Sequence, residues 1–372
     1  MSKSVVESID LGEFSLWHKL KAEKNITSFD LELTARCNNN CKHCYINLPV
    51  GDKVAKKEEL SPEEIERIAD EAVSLGAIWC LITGGEPLLR QDFFDIYLYL
   101  KRKGLLISLF TNANLIRTEH IELFKKYPPR DIEVSVYGVT KETYERVTRV
   151  PGSFATFMRA LDLLLENGFS VRLKAMALRS NVHEMSEIAR FCRKRTKDFF
   201  RFDTSLHLRL DGDPARNEDI KSERLSPAEA AILERSDPER LKTIEKMCEG
   251  FGASEGRQPP DNNLFRCGVG SNITIGHNGF LRLCASLCHP DYVYDLRKGS
   301  LIDAWRDLLP QVRNMRSNRK EFVEKCQRCQ LINICLWCPA NAYVETGEMD
   351  VPVDYFCKMA HARAAAVALS KT

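Results

Sequence analysis

Apolar and polar positions follow two different repeats along the first half of the chain. Continuous apolar runs are typical of strands that are buried on both faces, and they occur at 29–33, 78–82, 105–110, 131–136, 169–176 and 199–204. Between these runs, apolar residues recur at helical spacing, which predicts helices at 92–102, 118–126, 140–146, 153–167 and 183–195. A short amphipathic segment at 13–25 predicts one more helix ahead of the first strand.

The helix between the first two strands has clear start and stop signals. Ser61 is placed to cap its N-terminus, Pro62 takes the first helical position, and Glu64 completes a capping box. An apolar stripe follows at Ile65, Ile68, Ala69, Ala72 and Leu75. Gly76 then ends the helix.

Strands that alternate with helices in this way predict an α/β fold with a parallel sheet. The repetition favours a partial (β/α)6 barrel similar to a TIM barrel. A doubly wound sheet is the alternative, but no Gly-x-Gly-x-x-Gly follows the first strand. Polar, turn-forming sequence follows strands at 34–51, 83–87, 111–114 and 135–138, and the carboxyl ends of barrel strands are where active sites form. We therefore expect these segments to share one rim.

The regular pattern stops between about 205 and 265, where the sequence is charged and turn-rich, with a helical stretch at 227–248. Short strands at 273–275 and 280–283 and a helix near 300–316 follow. We expect a helical lead-in at 1–27, a barrel at 28–210, a charged bridging region at 211–262, a small cysteine-rich domain at 263–360 and a helical tail at 361–372. The bridging sequence carries arginines that we interpret as solvated surface: Arg201, Arg209, Arg216 and Arg224.

Composition changes this picture little until the cysteines are considered. The chain is 44% hydrophobic and 28% charged, with a net charge of +2, which favours neither nucleic acid nor a membrane surface as partner. The polar N-terminus lacks a signal-peptide core, so we expect a cytoplasmic protein. Fourteen cysteines are unlikely to form disulfides in that compartment. Three of them stand alone and are interpreted as structural, namely Cys80, Cys192 and Cys248.

Three cysteines follow the first strand closely, at Cys37, Cys41 and Cys44. Three thiols at this spacing can converge on one metal centre and leave a position open for a ligand. A closed structural zinc site needs four ligands, whereas an iron–sulfur cluster with one uncapped iron needs three thiolates. The spacing favours the cluster and leaves zinc as the alternative.

The spacing Cys37-x3-Cys41-x2-Cys44, followed by Tyr45, resembles the radical S-adenosylmethionine (SAM) enzymes. The resemblance implies a [4Fe–4S] cluster that binds SAM and cleaves it to a 5′-deoxyadenosyl radical, within a partial (β/α)6 barrel. It also implies roles in SAM binding for the Gly84-Gly85-Glu86-Pro87 turn, with Glu86 accepting from the methionine ammonium, for Asn112 and Ser135 near the ribose, and for Tyr45 against the adenine. Ordinary turn or packing roles are the alternatives for Asn112, Ser135 and Tyr45.

The last third of the chain resembles the SPASM extension of these enzymes, which carries two auxiliary [4Fe–4S] clusters. By position, one cluster would be bound by Cys326, Cys329, Cys335 and Cys357, and the other by Cys267, Cys284 and Cys338. The fourth ligand of the second cluster is Cys288 or an open position. The family more often has three residues where two separate Cys335 from Cys338, and zinc-ribbon sites remain the alternative.

The resemblance implies a peptide or protein substrate, as in enzymes that crosslink, epimerise or oxidise ribosomal peptides. The segment before residue 29 is too short for a leader-binding domain, so we expect a separate adaptor or direct recognition. An electron donor such as flavodoxin or ferredoxin is also implied. A small-molecule substrate such as a tetrapyrrole carboxylate is the second interpretation, and a zinc- or iron-binding scaffold without turnover is the third.

Sulfatase maturation is disfavoured as the reaction. Its catalytic Asp directly follows the second upstream cysteine of the extension, and Ala285 occupies that position here. Asp291 or His289 nearby are the residues that could replace it.

Overall fold

The apolar runs form parallel strands that bury one face under the helices and turn the other towards a barrel interior. The computed structural model describes residues 26–197, 200–248, 262–265 and 267–370, so the helix predicted at 13–25 lies outside the described residues. The strands are β1 (Ser28–Glu32), β2 (Arg36–Cys37), β3 (Leu48–Pro49), β4 (Trp79–Thr83), β5 (Leu106–Thr111), β6 (Asp131–Ser135), β7 (Val171–Met176), β8 (Arg201–Asp203), β9 (Asn272–Ile275), β10 (Phe280–Arg282) and β11 (Val293–Asp295).

Helices connect these strands and cover the outer face of the sheet. They are α1 (Lys53–Glu58), α2 (Pro62–Ser74), α3 (Phe93–Arg102), α4 (Thr118–Lys126), α5 (Lys141–Thr148), α6 (Ser153–Glu166), α7 (Met185–Arg195), α8 (Pro214–Glu223), α9 (Pro227–Ser236), α10 (Pro238–Cys248), α11 (Leu301–Arg313), α12 (Pro339–Thr346) and α13 (Asp354–Ser370). Short 3₁₀ turns span Pro87–Leu89, Val182–Glu184, Pro290–Tyr292 and Ile332–Ile334, and one π-helical segment spans Glu321–Cys326.

The order β1-β4-β5-β6-β7-β8, with every neighbouring pair parallel, confirms the predicted (β/α)6 arrangement. The capping box of α2 is also present: Ser61 Oγ accepts from the Glu64 backbone N–H at 3.2 Å, and Glu64 Oε2 accepts from the Ser61 N–H at 2.8 Å. Two of the three isolated cysteines, Cys80 and Cys192, are buried in the core between strands and helices.

The bridging region is more helical than its sequence suggested. Helix α8 was not predicted, and the predicted helical stretch at 227–248 is two helices, α9 and α10, because Pro238 cannot donate to the preceding turn and begins a new helix after Asp237. The interpretation of its arginines as solvated surface is wrong for Arg209 and Arg224. Arg209 is only 2% exposed, and Arg224 is paired with Glu345 on α12.

The cysteine-rich region is attached to the barrel by strand pairing. β9 pairs in parallel with β1, and β10 and β11 continue the sheet with antiparallel pairing to give nine strands in all. A buried ion pair reinforces this junction, because Arg282 on β10 lies 2.6 Å from Glu32 at the end of β1. No described helix is long and apolar enough to cross a membrane.

The C-terminal helix α13 is held to the barrel by a buried charge network. The fully buried Glu234 on α9 accepts from Arg363 Nε at 2.7 Å and Nη2 at 2.8 Å, and from Arg240 at 2.8 Å. Arg363 also donates to Thr204 Oγ1 at 3.2 Å, just after β8. The network therefore joins α9, α10 and α13 to the last barrel strand.

Replacing Glu234 with Gln should destabilise the protein by about 3–5 kcal/mol, since it leaves a buried arginine without its counter-charge. The free energy of unfolding by urea, compared with that of the wild type, measures this loss. Asp354→Asn is the matched control, because it removes an exposed partner of Lys358 and should change nothing measurable. A Glu234→Gln variant as stable as the control would contradict the assignment.

Candidate functional site

The cysteine loop (residues 37–44) is joined to the Gly84–Pro87 turn by backbone hydrogen bonds. The Gly85 N–H donates to Thr34 O at 2.6 Å, and the Glu86 N–H donates to Arg36 O at 2.9 Å. Both acceptors belong to the segment that leaves β1 and leads directly to Cys37. The turn after β4 therefore fixes the backbone from which the cysteines project.

Both glycines of this turn are required by that close approach. Gly84 has φ +133°, and a Cβ on it would lie 2.3 Å from Thr34 O. A Cβ on Gly85 would lie 2.3 Å from Arg36 O and 2.5 Å from Ala35 O. Real Cβ atoms do not approach backbone oxygen so closely, so any side chain here displaces the cysteine loop.

The Glu86 carboxylate points into the protein and organises the end of β5. It is fully buried and accepts from Thr111 Oγ1 at 2.8 Å, from the Asn112 N–H at 2.8 Å and from the Leu88 N–H at 3.2 Å. Burial raises the pKa of Glu86 to about 7 despite these donors. The carboxylate thus couples the turn after β4 to the polar segment after β5.

Amide groups surround the sulfur of Cys37. It accepts from the Asn39 backbone N–H at 3.4 Å and from Asn112 Nδ2 at 3.6 Å, while Asn112 Nδ2 also donates to Asn38 Oδ1 at 2.8 Å. Burial, and then the nearby Glu86 and Cys44, raise the pKa of Cys37. A positively charged group beside the Cys37 sulfur would favour its thiolate form, which is the form that binds metals.

Cys41 and His43 lie against the side chain of Tyr137, which follows β6. Burial raises the pKa of the Cys41 thiol, while a hydrogen bond from Tyr137 opposes that rise. The side chain of Ser135 forms a hydrogen bond with the same tyrosine. The His43 and Tyr137 rings are 5.4 Å apart. Burial lowers the pKa of His43 to about 4, so the ring is neutral, and its buried Nδ1 has no hydrogen-bond partner among the described residues.

Two arginines from the region after β8 hold the far side of the cysteine loop. Arg209 Nη1 donates to Cys44 O at 3.4 Å and to Asn47 O at 3.2 Å, and Asp211 accepts from its Nη2 at 2.5 Å. Arg216 donates to Asn40 Oδ1 at 3.0 Å. These contacts join the bridging region to the loop, and the sequence analysis did not anticipate them.

A cavity of about 280 Å³ opens where these segments meet. The predicted site residues that line it are Cys37, Cys41, Cys44, Tyr45, Gly84, Gly85, Asn112 and Ser135. Tyr45 is 36% exposed, and burial of its hydroxyl near Glu32 raises its pKa. Glu86 and Pro87 are buried behind the glycines.

The opposite wall of the cavity contains residues that sequence reasoning missed. Lys174 on β7 lies 2.5 Å from Glu133, with its ammonium 3.8 Å from the centre of the Phe110 ring. His207 lines both this cavity and a small adjoining one that also contacts Ser286 and Asn341. The alternation of side chains along β7 places Lys174 on the inner face of the sheet. His207 follows the last barrel strand, where no periodic pattern predicts the position of a side chain.

The C-terminal cysteines lie in two groups. Burial and then the nearby thiols of Cys335, Cys329 and Cys357 raise the pKa of Cys326 to about 11, so these residues form one group. The Leu331 N–H donates to Cys329 Sγ at 3.4 Å. Within the second group, burial and then Cys284 and Cys267 raise the pKa of Cys338 to about 11.

Cys288 and the possible replacements for a catalytic Asp lie beside the second group. Burial raises the pKa of Cys288, with Cys284 near enough to contribute. His289 Nδ1 accepts from the Asp291 N–H at 3.2 Å, and its ring packs 4.5 Å from that of Tyr343. The described lining of the 280 Å³ cavity includes neither His289 nor Asp291.

The arrangement of the side chains that could bind metal differs from that of a single-ion site. Among the residues that the structure describes, no three His, Cys, Asp or Glu side chains are arranged to bind one metal ion. Thiolates of a [4Fe–4S] cluster bind different irons and need not meet at one point. Backbone N–H groups aimed at sulfur, such as that of Asn341 at 3.3 Å from Cys338 Sγ, are among the contacts that adjust cluster potentials.

Comparison with known proteins identifies the barrel. Residues 31–192 match the family model of the Radical SAM superfamily. The chain contains a radical SAM domain. Its α/β radical SAM fold is also that of solved structures: SuiB from Streptococcus suis bound to its precursor peptide SuiA superposes with a TM-score of 0.68 at 18% identity, over 96% of this chain and 83% of that one.

Curated relatives of this chain have different names and activities. Fe-coproporphyrin III synthase from Methanosarcina barkeri is 26% identical over 82% of this chain and 80% of its own length. The subtilosin biosynthesis protein AlbA from Bacillus subtilis is 31% identical over 42% of this chain and 35% of its own length. The names of these relatives therefore point to different substrates.

Replacing Gly85 with Ala should displace the cysteine loop of the radical SAM domain, because the new Cβ meets two backbone oxygens. Iron bound after anaerobic reconstitution and the thermal midpoint of unfolding should both fall clearly below wild type. Gly51→Ala is the control, since a Cβ at Gly51 meets nothing within 4 Å. Equal iron content in the two variants would show that the close approach does not position the loop.

Proposed function

We propose that this protein is a radical SAM enzyme that modifies a peptide or protein side chain. The observation that carries the proposal is the single cavity that joins three features. They are the thiols of Cys37, Cys41 and Cys44, the backbone of Gly84 and Gly85, and His207, which also lines a small cavity beside Ser286.

In this proposal Cys37, Cys41 and Cys44 hold a [4Fe–4S] cluster. Such a cluster, when bound, supplies one electron that breaks a carbon–sulfur bond of SAM to give methionine and a 5′-deoxyadenosyl radical. Amide donors to the Cys37 sulfur and the Tyr137 hydroxyl beside Cys41 would stabilise the thiolates. Asn39 Nδ2, which is buried without a partner among the described residues, is a further donor beside the thiols.

The proposed SAM contacts are made by groups that line the cavity. Gly84 and Gly85 offer backbone atoms to the methionine ammonium, whereas the Glu86 carboxylate has its own donors and would act by holding the turn. Asn112 and Ser135 are within the cavity for the ribose. For the adenine, the ring of His43, which lines the cavity, is proposed as a contact in addition to Tyr45.

The two C-terminal cysteine groups are proposed to hold auxiliary [4Fe–4S] clusters. Cys326, Cys329, Cys335 and Cys357 supply four thiolates, which would close the first site. Cys267, Cys284 and Cys338 supply three, and Cys288 lies near enough to Cys284 to be the fourth. The small cavity that contacts His207, Ser286 and Asn341 connects this second group to the barrel.

The charge of the cavity favours a peptide over a substrate that carries several carboxylates. Among its described lining residues Lys174 is the one permanent cation, and Glu133 already pairs with it. Burial lowers the pKa of both His43 and His207, so both rings are neutral. SuiB bound to SuiA and the protein AlbA, which are peptide-processing by their names, also support this choice.

A tetrapyrrole substrate is the second candidate because of the sequence relatives. Fe-coproporphyrin III synthase matches most of this chain, as does an AdoMet-dependent heme synthase that is 25% identical over 85% of it. Carboxylates on such a substrate would need cations beyond Lys174, for example by displacing Glu133. Binding of coproporphyrin, followed by its absorbance, separates the two candidates.

His207 is proposed to accept the proton that an oxidised substrate side chain releases. It lies where the barrel cavity meets the small cavity beside Ser286, a residue between Cys284 and Cys288 in the sequence, and it is neutral, as a base must be. Burial and the neighbouring Arg224 lower its pKa, while Glu345, Asp203 and a hydrogen bond that His207 donates to Asn341 partly oppose that change. The separate adaptor and the electron donor belong to the same proposal.

Replacing Cys41 with Ala should abolish formation of 5′-deoxyadenosine from SAM, because it removes a thiolate of the SAM site. Cys329→Ala should leave part of this activity and block product, because it affects only an auxiliary site. Chromatography of both products after anaerobic reconstitution measures the effects, and wild type should contain about twelve irons, four for each of three clusters. Stoichiometric zinc without SAM cleavage would favour the scaffold interpretation. Normal product from Cys329→Ala would contradict the auxiliary role.

Replacing His207 with Gln should lower product formation about 100-fold, within the range for loss of a general base, while 5′-deoxyadenosine formation continues. Because the pKa of His207 is lowered from its usual value near 6.5, wild-type product formation should be constant above pH 6.5 and should fall at lower pH as the ring becomes protonated. The variant should lack this decline. An unchanged pH profile in the variant would rule out His207 as the base.

A further inference from the structure

Helix α1 (Lys53–Glu58) presents a lysine face next to the cysteine loop. Lys53, Lys56 and Lys57 are spaced i, i+3 and i+4, so they share one side of the helix, and all three are exposed. Within the described parts of the chain none of them forms an ion pair.

The acidic residues of this segment are mostly engaged elsewhere. Asp52 caps α1 by accepting from the Ala55 N–H at 2.9 Å. Glu59 binds the Arg36 guanidinium at 2.7 Å, which leaves Glu58 as the exposed carboxylate. The lysine face therefore keeps an excess of positive charge.

This surface is close to the first thiol of the SAM site. β2 and β3 pair in parallel, which sets the exposed Pro49 directly opposite Cys37. Arg36 Nη1 donates to Val50 O at 3.1 Å and so holds the next residue in place. Val50 is 44% exposed and Val54 is 69% exposed, so an apolar centre lies between Cys37 and the lysines.

We propose that the α1 surface, formed by Pro49, Val50, Lys53, Val54, Lys56 and Lys57, docks an acidic one-electron donor protein of the flavodoxin or ferredoxin type. The proposal rests on the proposed function and assigns a partner surface to the same site. An apolar centre with a charged rim is the usual form of a transient interface, and redox complexes bury little area. Positive charge around it would steer an acidic donor to the residue opposite Cys37.

Lys53→Glu/Lys57→Glu reverses the charge on one side of α1 without touching a residue of the cavity. Lys242→Glu/Lys246→Glu is the matched control: these lysines are also exposed at i, i+4 spacing, and their helix α10 packs against α13 through Ile244 and Val367. Reconstituted enzyme is assayed for 5′-deoxyadenosine with two reductants, flavodoxin with NADPH and its reductase, or dithionite.

The flavodoxin-driven rate of the α1 variant should be at least about tenfold lower than that of the wild type, in line with the effect of steering on association. Its dithionite-driven rate should equal that of the wild type. Its Kd for oxidised flavodoxin, measured by calorimetry, should rise by a similar factor. Lys53→Gln/Lys57→Gln should give a smaller loss, and raising the salt concentration should weaken binding to the wild type. The α10 control should match the wild type throughout.

Equal flavodoxin-driven rates and equal Kd values for the α1 variant and the wild type would overturn the proposal. A wild type that cleaves SAM with dithionite but is not reduced by flavodoxin would overturn it as well. Failure of the wild type to cleave SAM even with dithionite would instead reject the proposed function, so the two failures are distinguishable.

Discussion

The close approach of the Gly84–Gly85 turn to residues 34–36 is the contact on which the site depends. Two backbone hydrogen bonds join the turn to the start of the cysteine loop. A Cβ on either glycine would lie 2.3 Å from a backbone oxygen of that segment. Glu86 then ties the turn to Thr111 and Asn112. Hydrogen bonds therefore hold the start of the cysteine loop, the turn and the end of β5 together.

The rest of the chain supports this unit from two directions. Arg209 and Arg216 bind the cysteine loop from the region after β8, and β9 extends the sheet beside β1 on the other side. The Glu32–Arg282 pair crosses that junction. Since a buried charge without its partner is costly, these pairs fix the cysteine-rich region relative to the barrel, and the cavity past His207 is one consequence.

Much of the fold and part of the site could be predicted because they depend on local patterns. The apolar runs predicted the strands correctly, and the Ser61–Glu64 capping box predicted the start of α2. Both signals depend only on residues within a single strand or helix. The spacing of Cys37, Cys41 and Cys44 predicted that the three thiols lie together, and they line one cavity; the metal at this site stays a prediction. Helix α8 was missed because its sequence lacks an apolar stripe: only Ile220 and Glu223 are buried.

The sequence by itself determined the alternation of strands and helices and the position of the thiols on the rim. Only the tertiary structure decided that Glu86 points inward, that Arg209 binds a loop 162 residues away, and that His43, Lys174 and His207 face one cavity. The physical reason is that the spacing of hydrophobic residues determines only on which face of its own helix or strand a residue lies. Which groups meet across elements depends on strand register, packing and the pairing of buried charges.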